Sequence, residues 1–204
     1  MRRAPEAESI ELIPRDYFRF LRREEIFPDT SRRLELDVGC GDGTFLLEMA
    51  QHYPDRDFLG IERLGGRVKK ISRRATRLGL TNARVLCLES SYVLGWLLPD
   101  ACAARVHLLF PDPWPKKRHA GKRFIHPENL TALHRVLATG GDVLFKTDHA
   151  DYFAASSEAM ETSPLFRRAG WLPPGEFHPD TDFEKVWIAQ GCAICRARWI
   201  KNGV

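Results

Sequence analysis

The stretch "RLELDVGCGDGTFLLEMAQHYP", residues 33–54, decides the fold of this protein. Residues 33–41 combine the short apolar run of a buried strand with a glycine end, which is typical of a strand that turns sharply. Apolar side chains then recur at the spacing of a helix, at Phe45, Met49, Ala50 and Tyr53. Because proline does not continue a helix, Pro54 ends the pattern, which predicts a strand over 33–41 and a helix over 44–53.

The same alternation continues downstream. Further predicted strands cover residues 57–62, 83–89, 105–110 and 141–148. One helix between them has an apolar stripe at Leu64, Val68, Ile71, Ala75 and Leu78, and another begins at Pro127 and exits at Gly140 and Gly141. These alternations predict an α/β fold with a Rossmann-like, doubly wound, mostly parallel sheet. From about residue 165 the pattern favours antiparallel strands and a proline-rich loop, hence an antiparallel C-terminal edge.

Length and composition indicate one globular domain. The chain has 204 residues, 44% hydrophobic and 28% charged, and we place an N-terminal lead at 1–30 before a single domain at 31–204. It has neither an apolar run of about 18 residues nor the apolar stretch of a signal peptide, so we expect a cytoplasmic protein without a membrane partner. Five cysteines, an odd number, indicate reduced thiols rather than disulfides.

Basic side chains are concentrated in two segments. The formal net charge is only +4, but residues 63–77 hold seven Arg and Lys residues without an acid, and residues 116–123 hold five. Such blocks favour an anionic partner. For the first segment the sequence leaves two interpretations open, a solvated helix face and a contact with an RNA backbone.

A glycine-rich loop and three acids indicate a binding pocket. Parallel sheets bind ligands at the carboxyl ends of their strands, where "DVGCGDG", residues 37–43, joins the first strand to its helix. Thr44 stands where a dinucleotide loop has its third glycine, which argues against NAD. Glu62 ends the second strand, where an acid can bind both ribose hydroxyls, and Glu89 ends the third. A pocket for adenosine with a positive charge, such as S-adenosylmethionine, is outlined by Asp37, Gly39, Gly41, Glu62 and Glu89.

The fourth strand leads into "FPDPWPKK", residues 110–117, at the edge of the same pocket. From this position we expect the carboxylate of Asp112 to face the methyl donor. Pro111 and Pro113 fix the backbone on both sides of it. Trp114 has two open interpretations, stacking on a base and packing beneath the loop.

The chain resembles the bacterial tRNA (guanine-N7-)-methyltransferases. The resemblance runs from "EEIF" to "CRARW" and rests on "DVGCGDG", "FLGIE", "FPDPWPKKRH", "GGDVLFKTD" and "TDFE". It implies a class I S-adenosylmethionine-dependent methyltransferase fold and methyl transfer to a guanine N7 in the tRNA variable loop. By motif position it implies a donor site at Asp37, Glu62, Glu89 and Asp112. The tRNA contacts that it implies are Lys116, Lys117, Arg118, His119, Lys122, Arg123, Asp148, Thr181, Asp182, Phe183 and Glu184.

Three features depart from the family's pattern. The family usually has glutamate where Asp37 stands and aspartate where Glu89 stands, which implies a donor pocket reshaped by one methylene group at each position. The lead before the domain is also short, which leaves its part in tRNA contact open.

The chemistry of guanine agrees with this resemblance. N7 has an in-plane lone pair and no proton, so it can attack a sulfonium methyl group without a general base, and the enzyme mainly supplies alignment. Positive charge then moves to the purine, which makes Asp112 the candidate catalytic residue. The same carboxylate can accept hydrogen bonds from the N1 and N2 edge of guanine, which adenine does not present.

Two other functions stay open at this point. "DPWP" also resembles the loop of enzymes that methylate exocyclic amines, although Trp114 stands where that loop has its second proline. The other alternative is a non-catalytic RNA-binding module. Cys192 and Cys195 lack a second pair, so we expect no metal site, and His107 is interpreted as a core or edge residue. No obligate protein partner is evident, and tRNA is the expected partner.

Overall fold

A computed structural model describes residues 9–114 and 117–203 of the chain. Within this part the strands are β1 Arg33–Val38, β2 Arg56–Ile61, β3 Ala83–Leu86, β4 Ala103–Leu109, β5 Leu137–Thr147, β6 Phe166–Ala169 and β7 Cys195–Lys201. The helices are α1 Arg23–Ile26, α2 Thr44–His52, α3 Gly65–Leu78, α4 Ser90–Tyr92, α5 Pro127–Val136, α6 Ala150–Thr162 and α7 Asp182–Ala189. A π-helical turn follows α4 at Val93–Leu97, and a 3₁₀ helix covers Lys117–Lys122.

The strands form one sheet in the order β3-β2-β1-β4-β5-β7-β6. β1 to β5 pair in parallel, whereas β7 pairs antiparallel with both β5 and β6. The predicted mostly parallel sheet with an antiparallel C-terminal edge is therefore confirmed. The strand order reverses between β1 and β4, and open sheets of this kind bind ligands at such a reversal.

Two apolar clusters cover the two faces of the sheet. On one face α2 and α3 pack onto the strands through Phe45, Val68 and Ile71. On the other face the π-helical turn, α5 and α6 contribute the buried Leu94, Leu133 and Met160. The sheet is thus buried on both sides, and its carboxyl edge remains accessible for a ligand.

The described part of the lead packs against the domain. The Leu12 N–H donates to the Val85 carbonyl at 2.9 Å, which places the lead beside β3. Leu21, Ile26 and Phe27 are buried in the same apolar cluster as the sheet. The division at residue 30 stays a prediction, but Leu12, Leu21, Ile26 and Phe27 of the lead belong to the core of the domain.

Two details of the predicted helices are wrong. Leu64 and Leu78 are 47% and 45% exposed rather than part of the core stripe, since Leu64 precedes α3 and Leu78 is its last residue. Gly140 and Gly141 lie inside β5 rather than at the exit of α5, because the strand already begins at Leu137. Gly141 packs closely there, where a Cβ atom would lie 2.9 Å from the Ala138 carbonyl oxygen.

The C-terminal region contains a helix where the sequence pattern favours strands. Residues Asp182–Ala189 form α7, which begins where the Thr181 side chain accepts a hydrogen bond from the Glu184 N–H at 3.0 Å. Only the segments of β6 and β7 are antiparallel strands. Cys192 precedes β7, and Cys195 is its first residue.

Candidate functional site

A cleft of about 610 Å³ opens at the carboxyl ends of the parallel strands. Its walls are the glycine loop after β1, Glu62 after β2, residues 89–91 after β3, residues 110–112 after β4 and residues 181–183 before α7. Cavities of roughly 300–1,000 Å³ hold small ligands and cofactors. A second cavity, of about 670 Å³, lies between α5 and α6, and none of the predicted site residues lines it.

The glycine loop is shaped by left-handed backbone. Gly39, Gly41 and Gly43 have φ angles of 75°, 57° and 73°, which side chains of other residues rarely allow. The Gly39 N–H donates to the Ile61 carbonyl at 2.9 Å, which fixes the loop to the end of β2. A Cβ atom at Gly43 would lie 2.7 Å from Ile71 in α3, so this glycine also permits close helix packing. The loop therefore presents its backbone to the cleft.

Asp37 is the buried acid that lacks a cation in the described part of the chain. It is 4% exposed, and its Oδ2 atom has no hydrogen-bond partner there. Burial, helped by the negative charge of Glu62, raises the pKa of this carboxyl group to about 7. A buried carboxylate is costly unless it is paired, so the cleft at Asp37 is suited to a cationic ligand.

The other buried acids are all paired, which makes Asp37 distinctive. Five carboxylates contact Arg, Lys or His side chains: Glu35, Asp57, Glu62, Asp142 and Glu184. Glu35, for example, lies 2.8 Å from His107 Nε2, and despite burial these contacts lower the pKa of Glu35 to about 2. His107 is fully buried, which confirms its interpretation as a core residue.

Glu62, which is buried, and Glu89, which is exposed, are fixed by backbone contacts in the walls of the cleft. Glu62 accepts a hydrogen bond from the Leu64 N–H at 2.8 Å and lies 3.5 Å from the Arg67 guanidinium. Glu89 caps α4, since its two oxygens accept from the Ser91 and Tyr92 N–H groups at 3.0 and 2.8 Å. Carboxylate oxygens accept more than one hydrogen bond, so both acids keep capacity for a ligand.

The turn that carries Asp112 is strained on both sides. Phe110 and Trp114 have φ angles of 51° and 43°, unusual values for residues other than glycine. The Phe110 N–H donates to the Lys146 carbonyl at 2.8 Å, which ties the start of the turn to β5. Asp112 itself is exposed and lines the cleft. Strain of this kind concentrates at functional sites, where the surrounding fold maintains it.

We call residues 116–123 the basic arm, and its described residues fold back onto the same turn. Arg123 Nε donates to the Pro113 carbonyl at 2.9 Å, and Lys122 Nζ lies 4.8 Å from the centre of the Trp114 ring. Lys122 and Arg123 line the cleft, while Arg118 and His119 contact each other at 3.3 Å. Lys116 lies outside the described residues, and so does the side chain of Lys117. Trp114 is half-buried and lines the cleft, so both interpretations of this residue remain open.

The "TDFE" residues divide between the cleft and the interior. Thr181, Asp182 and Phe183 line the cleft, and Phe183 is 60% exposed. Asp182 accepts a hydrogen bond from the Thr44 hydroxyl at 2.7 Å, which joins this segment to the glycine loop. Glu184 is buried and binds Lys146 Nζ at 2.7 and 2.8 Å.

Asp148 and Lys146 lie at the end of β5, and of these two only Asp148 is a predicted site residue. Asp148 is half-buried just after β5, outside the residues that line the cleft. Lys146 is a residue that the sequence reasoning missed, although a lysine within the apolar run "DVLFK" is the signal of a buried ion pair.

Among residues 9–114 and 117–203, no helix is long and apolar enough to cross a membrane.

The sequence of this chain is similar to those of known methyltransferases. A family model described as "Putative methyltransferase" matches residues 31–197. The tRNA (guanine-N(7)-)-methyltransferase of Marinobacter nauticus is 36% identical over 160 residues, which cover 74% of this chain and 66% of that protein. The protein of the same name from Thermotoga maritima is 33% identical over 196 residues, which cover 95% of this chain and 62% of that protein.

The chain spans about two-thirds of the length of these curated relatives. Among solved structures, the 16S rRNA methyltransferase KamB has a TM-score of 0.63 at 20% identity, with 87% of this chain and 93% of that chain covered. This likeness shows that the chain and KamB share a fold. It is the fold that the sequence predicts, that of class I methyltransferases. The extent and level of the sequence matches place the chain in the bacterial tRNA (guanine-N(7)-)-methyltransferase family.

Proposed function

We propose that this protein transfers a methyl group from S-adenosylmethionine to N7 of a guanine in the variable loop of tRNA. The observation that carries the proposal is one cleft lined both by Asp37, a buried acid that no cation of the described residues pairs with, and by Asp112 on its strained turn. The names of the relatives support the reaction. We further propose that residues 31–204 work as one domain in the cytoplasm without an obligate protein partner.

The residues on the donor side fit a cationic adenosine. S-adenosylmethionine supplies a methyl group attached to a positively charged sulfur. The buried carboxylate of Asp37 would offset positive charge, and Glu62 would accept hydrogen bonds from ribose hydroxyls. Gly39 and Gly41 let the backbone approach closely, and Glu89 borders the same cleft. No metal is part of this proposal.

Asp112 carries the chemistry in this proposal. Guanine N7 needs no base to remove a proton, so the protein contributes alignment and electrostatic stabilisation. A fixed carboxylate beside the purine stabilises the positive charge that the ring acquires in the transition state. The same carboxylate selects guanine by accepting hydrogen bonds from its N1 and N2 edge. Its strained turn holds that orientation before the substrate arrives.

The RNA would be held by the basic arm and by the segment before α7. Arm cations bind phosphates, whereas the exposed ring of Phe183 offers a face on which a base can stack. The remaining proposed contacts are Lys116, Lys117, Arg118, His119, Lys122, Arg123, Asp148, Thr181, Asp182 and Glu184. Glu184 would act through its ion pair with Lys146, which positions the start of α7.

The proposal is tested by incubating the protein with unmodified tRNA and labelled donor, followed by nucleoside mass spectrometry and mapping of the methylated position. We expect 7-methylguanosine in the variable loop. Asp112→Asn should lower single-turnover rate roughly a hundredfold or more, because it removes a charge that acts in the transition state. Affinities for donor and tRNA should stay within several-fold of the parent.

Asp151→Asn, an exposed acid in the first turn of α6, is the matched control and should leave the rate unchanged. Methylation of an exocyclic amine would reject the proposed target atom. Absence of donor binding by calorimetry would instead favour a non-catalytic RNA-binding module. Near-parental turnover of Asp112→Asn would reject Asp112 as the catalytic residue.

A further inference from the structure

The helix α3 begins at the mouth of the cleft and carries an unusual surface. Leu64, which precedes it, lines the cleft, and the helix runs from there for 14 residues. Val68, Ile71 and Ala75 are buried, so the opposite side of the helix faces solvent. A helix of this length extends for roughly 20 Å, at about 1.5 Å per residue.

The seven cations of residues 63–77 fall into two groups. Arg67 lies near Asp42 and Glu62, at 3.8 and 3.5 Å, and Arg74 donates to the Asp42 carbonyl at 3.1 Å. These two side chains support the glycine loop. The other five are exposed and form no ion pair with an acid in the described part of the chain: Arg63, Lys69, Lys70, Arg73 and Arg77. We refer to these five as the α3 cations.

Some exposed cations elsewhere in the molecule pair with acids. Arg168 pairs with Glu161 at 2.7 Å, and Lys185 lies 3.7 Å from Glu48. Solvated surfaces usually mix both signs of charge. Lys70, Arg73 and Arg77 instead follow one another at helical spacings of three and four residues, where like charges repel and destabilise a helix. An anionic partner would remove this repulsion.

We infer that the α3 cations form a second phosphate-binding surface, which contacts the body of the substrate RNA while the target base lies in the cleft. The inference rests on the proposed function, because the surface starts at the cleft that would hold the donor. The basic arm and α3 leave the cleft from different walls, the arm after β4 and α3 after β2. The RNA would therefore be held on two sides of the reacting base.

The test compares two double variants with the same change in charge. Arg73→Gln/Arg77→Gln removes two α3 cations, and Arg167→Gln/Arg168→Gln removes two exposed cations from β6, at the opposite edge of the sheet. Binding of an unmodified tRNA transcript is measured across a range of salt concentrations. Donor affinity by calorimetry and urea unfolding verify that each variant is folded.

We expect the α3 variant to flatten the slope of log affinity against log salt by up to about two units, near one per lost phosphate contact. A fourfold rise in salt would then cost this variant roughly 16-fold less affinity than it costs the parent. KM for tRNA should rise while kcat and donor affinity stay at parental values, since α3 contacts no reacting atom. The β6 variant should keep the parental slope.

Two results would overturn the inference. A parental slope in the α3 variant would mean that this helix face is only solvated. An equal decrease in both variants would mean that net charge, rather than a defined surface, attracts the RNA. Failure of the proposed function is recognised separately, because the parent protein would then form no 7-methylguanosine, whatever the slopes show.

Discussion

Asp37→Asn should make the folded protein more stable at neutral pH while it abolishes donor binding. Asp37 is 4% exposed, and burial, together with the charge of Glu62, raises the pKa of its carboxyl group from 3.8 to about 7. One pKa unit corresponds to about 1.4 kcal/mol of preference for one protonation state. A shift of about three units therefore means that ionisation of Asp37 costs the fold roughly 4 kcal/mol.

The sign of this effect fixes its pH dependence. A raised pKa contributes stability that is fully present below the unfolded pKa, near 4, and is lost as pH rises through the folded pKa, near 7. Asparagine does not ionise, so the variant escapes this loss. The stability gap between variant and parent should widen from about 2 kcal/mol near pH 5 to about 4 kcal/mol near pH 8.

Urea unfolding between about pH 5 and about pH 8 measures the gap from the transition midpoint and slope. Other titrating groups occur in both proteins, so their effects largely cancel in the difference. Asp112→Asn, at an exposed position, is the matched control and should change stability by less than about 0.5 kcal/mol. A gap that does not change with pH would refute the reasoning, as would a variant less stable than the parent near pH 8.

Three further changes test other parts of the site. Glu62→Ala should weaken donor binding in calorimetry while tRNA binding stays nearly intact, and equal loss of both would reject its ribose role. Arg118→Ala/Arg123→Ala should flatten the salt dependence of tRNA binding by up to about two units, and an unchanged slope would place the arm away from the RNA. Lys146→Met should lower the free energy of unfolding by about 3–5 kcal/mol, because Glu184 stays buried without its partner. Lys146→Met/Glu184→Leu should recover most of that loss, and equal instability of both variants in urea would contradict this account.

The position of the cleft follows from sequence because of the geometry of parallel sheets. All carboxyl ends of β1 to β5 lie at one edge, so an acid or glycine loop that follows a predicted strand must lie near the others. This rule alone predicts that Asp37, Glu62 and Asp112 lie near one another. The strain at Phe110 and Trp114 could not be predicted, since it depends on how the turn is tied to β5.

The segment of α7 was predicted as a strand, although its sequence contains a local signal for a helix start. Three consecutive apolar residues, 186–188, are compatible with a strand, and this pattern favoured the wrong element. "TDFE" nevertheless has the spacing of a helix start, with a threonine followed three residues later by a glutamate. The structure uses Thr181 as the cap, but Glu184 turns inward to Lys146. The capping pattern thus marks the start of the helix without revealing the role of its glutamate.

The partners of Lys146 are set by tertiary structure alone, and through them Lys146 connects two walls of the cleft. Its carbonyl oxygen accepts the Phe110 N–H at 2.8 Å, which fixes the start of the turn that carries Asp112. Its ammonium group binds Glu184, 38 residues further along the chain, which fixes the start of α7. No local spacing relates these partners, so a lysine in an apolar strand indicates a buried pair without identifying it. Because one residue holds both segments, the carboxylate of Asp112 and the exposed ring of Phe183 are positioned relative to each other by β5, before any substrate binds.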